Sequence, residues 1–189
     1  MKPVFLIGYM GCGKTTLGEV LARQMACRFI DLDEYIEECQ GMSIVKIFDE
    51  MGEKRFRELE TEALQEVASM TDVIVSSGGG TPCHGDNMEI MNAAGITVWL
   101  TTSPERITAR LLLPDQKAKR PKISCLFDED ILPMVEKELK ARTPYYTRAQ
   151  LQFDSTDIET AEATERTARR LAEILSSSEP ISDYGSGED

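Results

Sequence analysis

The chain has 189 residues, of which 41% are hydrophobic and 29% are charged, a composition typical of one folded domain with a sizeable core. Its net charge of −12 argues against nucleic acid as a partner, and the absence of an apolar run of roughly 20 residues argues against a membrane-spanning protein. Five scattered cysteines without a C-x-x-C pair indicate free thiols, so we expect a cytoplasmic protein that has no signal peptide, disulfide framework or zinc site.

Apolar runs of strand length alternate with amphipathic helical patterns along most of the chain. This alternation predicts an α/β fold with three layers (α/β/α) around a five-stranded parallel sheet, and we expect residues 1–175 to form a single domain. The predicted strands are residues 4–7, 28–32, 73–76, 97–100 and 151–153. The predicted helices are residues 15–25, 34–39, 44–50, 53–69, 86–94, 104–112, 129–141 and 161–175.

A phosphate-binding loop joins the first predicted strand to the first predicted helix. Residues 8–15 read G-x-x-x-x-G-K-T, and the strand before them and the helix after them are the setting that this motif requires. Its glycines let consecutive backbone N–H groups converge on phosphate oxygens, and the helix N-terminus adds about half a positive charge. Lys14 is then expected to reach the terminal phosphates of a nucleotide, and the Thr15 hydroxyl to bind Mg²⁺.

Two carboxylates close the second predicted strand. Asp31 and Asp33 are two residues apart, so on a strand their side chains would project to the same side, at the carboxyl end of the sheet where ligands bind. One of them could serve the metal while the other accepts hydrogen bonds from an acceptor hydroxyl, although Asp33 could instead cap the next helix. The third strand lacks the acidic residue usual in P-loop ATPases, which favours Thr15 and Asp31 for the metal.

Three consecutive glycines, residues 78–80, follow the third predicted strand. They indicate a backbone that approaches a ligand closely, and a plain flexible turn is the alternative. Farther along the chain's helices, Arg57 and Glu60 share a face because they are three residues apart, and Arg142 ends a helix before a break at Pro144. If the fold brings the two arginines together, the acceptor carries a carboxylate or a phosphate.

Two segments depart from the alternating pattern. Residues 113–126 carry four cationic side chains against one acidic side chain and show no regular period, which predicts a basic loop that acts as a lid. Residues 176–189 are acidic, rich in Ser and Gly and nearly free of apolar side chains, which predicts a disordered tail.

Taken in order, these motifs resemble those of the shikimate kinase family over residues 4–175. Residues 52–60 read G-E-K-R-F-R-E-L-E and resemble the family block G-E-x-x-F-R-x-x-E. The lid reads Arg120-Pro121-Lys122 where the family commonly has Arg-Pro-Leu, and residues 154–157 match its adenine-binding stretch only loosely. The resemblance implies the P-loop kinase fold and transfer of the γ-phosphoryl group of ATP to the 3-hydroxyl of shikimate, a step of aromatic amino acid biosynthesis.

The resemblance also implies roles for particular residues, with Mg²⁺ as the cofactor and shikimate and ATP as the substrates. The implied catalytic residues are Lys14, Asp33 (the candidate base) and Arg120. The implied shikimate-binding residues are Asp33, Arg57, Gly79, Gly80 and Arg142. The implied ATP-binding residues are Gly11, Cys12, Gly13, Lys14, Thr15, Thr16, Arg110 (against adenine) and Arg120. The implied metal-binding residues are Thr15 and Asp31.

Two alternatives remain open at this point. Another small-metabolite kinase, such as a gluconate or nucleoside-monophosphate kinase, would share the phosphate loop, and gluconate also carries a carboxylate. A non-catalytic nucleotide-dependent regulatory module is the second alternative, although the sequence lacks the N-K-x-D motif of guanine-nucleotide switches. Nothing in the pattern indicates an obligate interface, so we expect a monomer.

Overall fold

The computed structural model describes residues 1–118 and 121–177, and it confirms the predicted α/β fold. The sheet has five parallel strands in the order β2-β3-β1-β4-β5. The strands are β1 (Val4–Ile7), β2 (Arg28–Asp31), β3 (Val73–Ser76), β4 (Ile96–Thr101) and β5 (Leu151–Asp154). Strand β1 is central, with β3 on one side and β4 on the other, so the loop after β1 lies at the switch point where open α/β sheets bind ligands.

Helices cover both faces of this sheet. Their bounds are α1 (Lys14–Gln24), α2 (Leu32–Gln40), α3 (Ile44–Ala68), α4 (Asn87–Ala94), α5 (Pro104–Leu111), α6 (Pro114–Ala118), α7 (Pro121–Ser124), α8 (Asp128–Tyr146) and α9 (Ala161–Ser177), with a 3₁₀ turn at Thr81–Cys83. Helix α3 is interrupted at Gly52, whose φ of 78° is not helical, in agreement with the two helices predicted there. Among the described residues, no helix combines the length and apolar character needed to cross a membrane.

The central strand explains why the fold has two cores. Its four residues are fully buried, and successive side chains of a strand point to opposite faces of the sheet. Phe5 and Ile7 belong to the core under α3, α4 and α8, whereas Val4 and Leu6 belong to the core under α1 and α9. The five cysteines are all free, as the sequence predicts.

Helix α8 ends later than the sequence predicts. The predicted helix stops at residue 141 because of Pro144, yet the observed helix continues past that residue to Tyr146. A proline inside a helix lacks a backbone donor and crowds the carbonyl group four residues earlier, so the turn that contains Pro144 depends on a tertiary contact. Tyr146 is buried and its hydroxyl donates a hydrogen bond to the carbonyl oxygen of Gly79 at 2.6 Å.

The described part of the predicted lid is also more regular than the predicted loop. Helices α6 and α7 lie within residues 113–126, and α6 begins at Pro114, a residue type that favours the first helical position. Both helices are too short to produce an apolar period in the sequence. Helix α9 includes residues 176 and 177, which the sequence assigned to the tail, and residues 178–189 lie outside the described residues.

Candidate active site

One cavity of about 720 Å³ opens at the carboxyl ends of the central strands. Its walls come from the loop after β1, the ends of β2 and β3, and parts of residues 110–116 and 158–159. Most of the described residues that the sequence predicts for the site line it, namely Gly11, Gly13, Lys14, Thr15, Thr16, Asp31, Asp33, Gly79 and Arg110. The cavity therefore joins the predicted nucleotide and metal residues to two of the predicted acceptor residues, Asp33 and Gly79.

The loop between β1 and α1 depends on glycine at its last position. Gly13 has a φ of 97°, a left-handed conformation that is unfavourable for residues with a Cβ. A Cβ on Gly13 would also collide with Cδ1 of Ile158, which packs against the loop from the other end of the chain. Backbone conformation and close packing therefore both exclude a side chain here.

Lys14 is 9% exposed and lies at the base of this loop. Its ammonium donates hydrogen bonds to the carbonyl oxygens of Gly8 at 2.8 Å and Tyr9 at 3.0 Å, which keeps a positive charge beside the cavity. Cys12, predicted to bind ATP, has a buried thiol, and its backbone N–H donates to the carbonyl oxygen of Tyr9 at 3.2 Å. Among the predicted loop residues, Cys12 therefore faces the protein rather than the cavity.

The two predicted metal-binding residues are adjacent. The Thr15 hydroxyl donates a hydrogen bond to Oδ2 of Asp31 at 2.9 Å, and both residues line the cavity. No group of three or more His, Cys, Asp or Glu side chains within residues 1–118 and 121–177 could hold a metal ion. A hydroxyl beside a carboxylate nevertheless fits Mg²⁺, which proteins commonly bind through one or two side-chain oxygens together with substrate phosphates and water.

The Asp31 carboxylate also caps helix α2. Its Oδ1 accepts a hydrogen bond from the backbone N–H of Asp33 at 3.1 Å, so the cap is Asp31, and the alternative in which Asp33 caps the helix is wrong. Strand β2 ends at Asp31, one residue earlier than predicted. The sequence analysis expected strand alternation to place both carboxylates on one side. In the structure they reach the same cavity because Asp33 lies in the first turn of α2, directly after Asp31.

The carboxyl group of Asp33 has a raised pKa. Burial, followed by the negative charges of Asp31 and Glu60, raises the pKa of Asp33 to about 6, while the positive charge of Lys14 opposes this rise. The largest cause is desolvation, which disfavours the charged form of any carboxyl group. A carboxyl group of this kind in a cleft is typical of catalytic sites.

Each glycine of residues 78–80 faces one of the side chains predicted to hold the acceptor. The pairs, given as the distance from an ideal Cβ to the facing atom, are Gly78 with Asp33 Oδ1 (3.0 Å), Gly79 with Arg142 Nη1 (3.3 Å) and Gly80 with Arg57 Nη1 (3.1 Å). Side chains on these residues would crowd the carboxylate and the two guanidinium groups. The triple glycine therefore lets three functional groups approach the backbone closely, as the sequence predicts, and each neighbouring group would have to move for a side chain to fit.

Arg57 is held in place by neighbours on its own helix. Its Nη1 donates to Oε2 of Glu60 at 2.9 Å, and its Nη2 lies 3.3 Å from Oε1 of the exposed Glu53. Glu60 is 1% exposed, and its other oxygen accepts a hydrogen bond from the Thr81 hydroxyl at 2.6 Å. The Nε of Arg57 is buried and has no hydrogen-bond partner among the described residues.

Arg142 connects the acceptor side to the phosphate loop. Its Nη2 donates to Oε2 of Glu138 at 2.6 Å, and the same oxygen accepts a hydrogen bond from the hydroxyl of Tyr9, in the phosphate loop, at 3.2 Å. The Arg142 guanidinium also lies 5.2 Å from the centre of the Tyr9 ring, within cation–π distance. Arg57, Arg142 and Gly80 do not line the main cavity. The two arginines lie behind the glycine turn, where Arg142 faces Gly79 and Arg57 faces Gly80.

Arg110 lies at the opposite wall of the cavity and joins two loops. Its Nη1 donates to the carbonyl oxygen of Gly11 at 3.1 Å, and its Nη2 donates to that of Thr156 at 3.0 Å. Its Nε and Nη2 also bond Oε1 of Glu159 at 3.0 and 2.9 Å. Beside it, the buried Ser155 hydroxyl donates to the carbonyl oxygen of Cys12 at 2.8 Å.

Three residues that support the site were not predicted. Glu138, Tyr146 and Glu159 hold predicted residues in place, but their contacts depend on tertiary structure. Ser155, which holds the phosphate loop, lies in the stretch 154–157 that matched the family only loosely. One local signal was present, since Glu138 precedes Arg142 by four residues, the helical spacing that favours an ion pair. Arg120, a predicted catalytic residue, lies outside the described residues.

Comparisons with known proteins show the family to which the chain belongs. A family model described as shikimate kinase matches residues 10–175. The shikimate kinase of Parabacteroides distasonis is 44% identical over 175 residues, which cover 93% of this chain and 100% of that relative. The crystal structure of shikimate kinase from Bacteroides thetaiotaomicron has a TM-score of 0.88 at 42% identity and covers 93% of this chain and 98% of that chain. Shikimate kinase from Acinetobacter baumannii, solved in complex with shikimate, has a TM-score of 0.78 at 32% identity and covers 94% of both chains. The chain therefore belongs to the shikimate kinase family of ATP-dependent phosphotransferases.

Proposed function

We propose that this protein transfers the γ-phosphoryl group of ATP to the 3-hydroxyl of shikimate. The observation that carries the proposal is the convergence of one carboxylate and two guanidinium groups on residues 78–80. Shikimate carries a carboxylate and several hydroxyl groups on one ring. Arg57 and Arg142 offer forked donors that match the carboxylate, and Asp33 offers an acceptor for the hydroxyls.

The neighbours of the arginines support a fixed binding position for the acceptor. Arg57 is restrained by the buried Glu60, and Arg142 is restrained by Glu138. A carboxylate bound by restrained arginines has a defined orientation, which lowers the entropic part of the reaction barrier.

Asp33 is proposed to receive the proton of the reacting hydroxyl. The hydroxyl oxygen forms a bond to the γ-phosphorus, the bond from that phosphorus to the bridging oxygen of ADP breaks, and the hydroxyl proton passes to Asp33. Its pKa of about 6 supports this role, because the carboxylate is mostly ionised at neutral pH yet binds a proton more readily than an ordinary aspartate.

The opposite end of the cavity is proposed to bind ATP. The backbone of residues 11–16, the Lys14 ammonium and Arg110 would hold the nucleotide, and Arg120 would stabilise the transferring phosphoryl group. Mg²⁺, held by Thr15 and Asp31, would neutralise phosphate charge. We also propose a single catalytic domain over residues 1–175 with a lid over residues 113–126, acting as a cytoplasmic monomer.

The first test is the acceptor dependence of ADP release. With ATP and Mg²⁺, we expect strong stimulation by shikimate and little by gluconate, a nucleoside monophosphate or no acceptor. Stimulation by gluconate or a nucleoside monophosphate in place of shikimate would refute shikimate as the acceptor, while the proposed phosphoryl transfer would still hold. No stimulation by any acceptor would favour a regulatory module.

The second test separates acceptor binding from general damage to helix α3. We expect Arg57→Ala to raise the KM for shikimate by roughly 10- to 100-fold, the effect of losing a charge-assisted hydrogen bond, and to leave the KM for ATP nearly unchanged. Arg55→Ala is the matched control, because Arg55 lies two residues away and its ion pairs with Glu58 and Glu62 are exposed. Equal effects of the two variants would place the shikimate carboxylate elsewhere.

A further inference from the structure

Tyr146 joins the two parts of the proposed acceptor site. It is the last residue of α8 and is fully buried, and its hydroxyl donates to the carbonyl oxygen of Gly79 at 2.6 Å. Arg142 lies one helical turn earlier, and its Nη1 faces the same Gly79, 3.3 Å from an ideal Cβ on that residue. The phenol oxygen is therefore the point at which the arginine-bearing helix meets the glycine turn.

The hydroxyl contributes something that the aromatic ring alone does not. The ring belongs to the core and packs near Trp99 with ring centres 6.0 Å apart, a contact that phenylalanine would also make. Burial raises the pKa of Tyr146, so the phenol stays protonated and remains a donor over the working pH range. The hydrogen bond to Gly79 is what a phenylalanine would lose.

We propose that Tyr146 is a positioning residue for the acceptor, an inference that rests on the proposed function. The Gly79 carbonyl and the Gly80 N–H belong to one peptide unit, which is trans because the described chain has no cis peptide bond. In a trans peptide these two groups point in opposite directions. By holding the carbonyl, Tyr146 fixes the direction of the Gly80 N–H and its position relative to Arg142.

The experiment compares Tyr146→Phe with a matched loss of a buried hydroxyl elsewhere. The control is Thr97→Val, because the buried Thr97 hydroxyl donates to Oδ1 of Asn92 at 2.6 Å and accepts from the Gln150 N–H at 2.9 Å, and Thr97 does not line the cavity. We expect Tyr146→Phe to raise the KM for shikimate by about tenfold while the KM for ATP changes by less than about twofold. Thr97→Val should lower thermal stability at least as much without changing either KM.

A second measurement reports on the glycine turn in the absence of substrates. In the free protein, Tyr146→Phe should accelerate hydrogen exchange of the Gly80 amide, and Thr97→Val should not. An unchanged KM for shikimate in Tyr146→Phe, or equal increases in both KM values, would overturn the positioning role while the proposed function stands. Absence of shikimate phosphorylation by the unsubstituted protein would overturn the proposed function and this inference with it.

Discussion

Replacing Asp33 with asparagine should make the folded protein more stable while it abolishes shikimate phosphorylation. The Asp33 carboxyl is buried beside two other carboxylates, and its pKa is raised to about 6. The folded protein therefore binds this proton more tightly than the unfolded chain, in which an aspartate has a pKa of about 3.9. Stability then falls as the pH rises between these two values, and the loss is complete above the higher one.

The size of the effect follows from the two pKa values. The two pKa values differ by about two units, and each unit corresponds to about 1.4 kcal/mol. The ionised Asp33 therefore lowers the free energy of unfolding by up to about 3 kcal/mol at pH 8. At pH 5, between the two pKa values, the same relation leaves about half of this cost. A neutral asparagine of nearly the same shape avoids the cost, so Asp33→Asn should gain up to about 3 kcal/mol at pH 8 and about half as much at pH 5.

The assay is urea unfolding of both proteins at pH 8 and pH 5, combined with ADP release in the presence of shikimate. The lower pH lies close to the isoelectric point of about 4.6, where the net charge is small, so the unfolding at pH 5 is measured at low protein concentration to limit aggregation. A parallel binding measurement with ATP should show near-normal affinity, because the nucleotide is proposed to contact the other end of the cavity. We expect a stable, ATP-binding and inactive protein.

Asp154→Asn is a control for which the expected change in stability has the opposite sign. Hydrogen bonds from Thr156 lower the pKa of Asp154, so its carboxylate stabilises the folded state above its ordinary pKa, and the substitution should destabilise the protein at pH 8. If Asp33→Asn gave no gain in stability at pH 8, or the same gain at pH 8 and pH 5, the reasoning from burial and charge would be refuted. Near-normal turnover in Asp33→Asn would remove Asp33 from the mechanism.

Further predictions concern the nucleotide end of the cavity. Arg110→Ala should raise the KM for ATP by more than about tenfold and leave the KM for shikimate unchanged, whereas Arg106→Ala, which removes a largely exposed arginine, should change neither value. Thr15→Ala should raise the Mg²⁺ concentration needed for half-maximal ADP release, and an unchanged Mg²⁺ requirement would exclude the hydroxyl as a ligand. Gly13→Ala should destabilise the protein by about 2–4 kcal/mol in thermal unfolding through strain and overpacking, and it should cost less in an Ile158→Ala background than in the unsubstituted protein. An equal cost of Gly13→Ala in both backgrounds would mean that backbone conformation alone is responsible.

The sequence predicted the sheet and the phosphate loop because both depend on local patterns. The central strand is a short apolar run directly before a glycine-rich motif, and the turns after it restrict the chain to few conformations. The joint role of Arg57 and Arg142 was harder to predict. The sequence shows that each lies on a helix, but their approach to residues 78–80 depends on the whole fold. Only the family resemblance indicated that these two arginines act together.

The failures of sequence analysis have the same physical origin. Pro144 is a sound local reason to end a helix, yet the tertiary hydrogen bond of Tyr146 holds the helix two residues beyond it. The short helices α6 and α7 left no period to detect. The pKa of Asp33 could not be anticipated either, because its largest cause is burial by distant parts of the chain.

Residues near the C-terminal end of the domain complete the phosphate loop, because Ser155 bonds Cys12 and Ile158 packs beside Gly13. This arrangement has a consequence for synthesis of the chain. The phosphate loop is translated among the first residues, but the carbonyl that Ser155 holds lies 143 residues away along the chain. A nascent chain can therefore form the early strands while its nucleotide site lacks one wall. If nucleotide binds here, it should begin to stabilise the growing protein only after residues 151–158 have left the ribosome, so we expect ATP to favour late folding steps and not early ones.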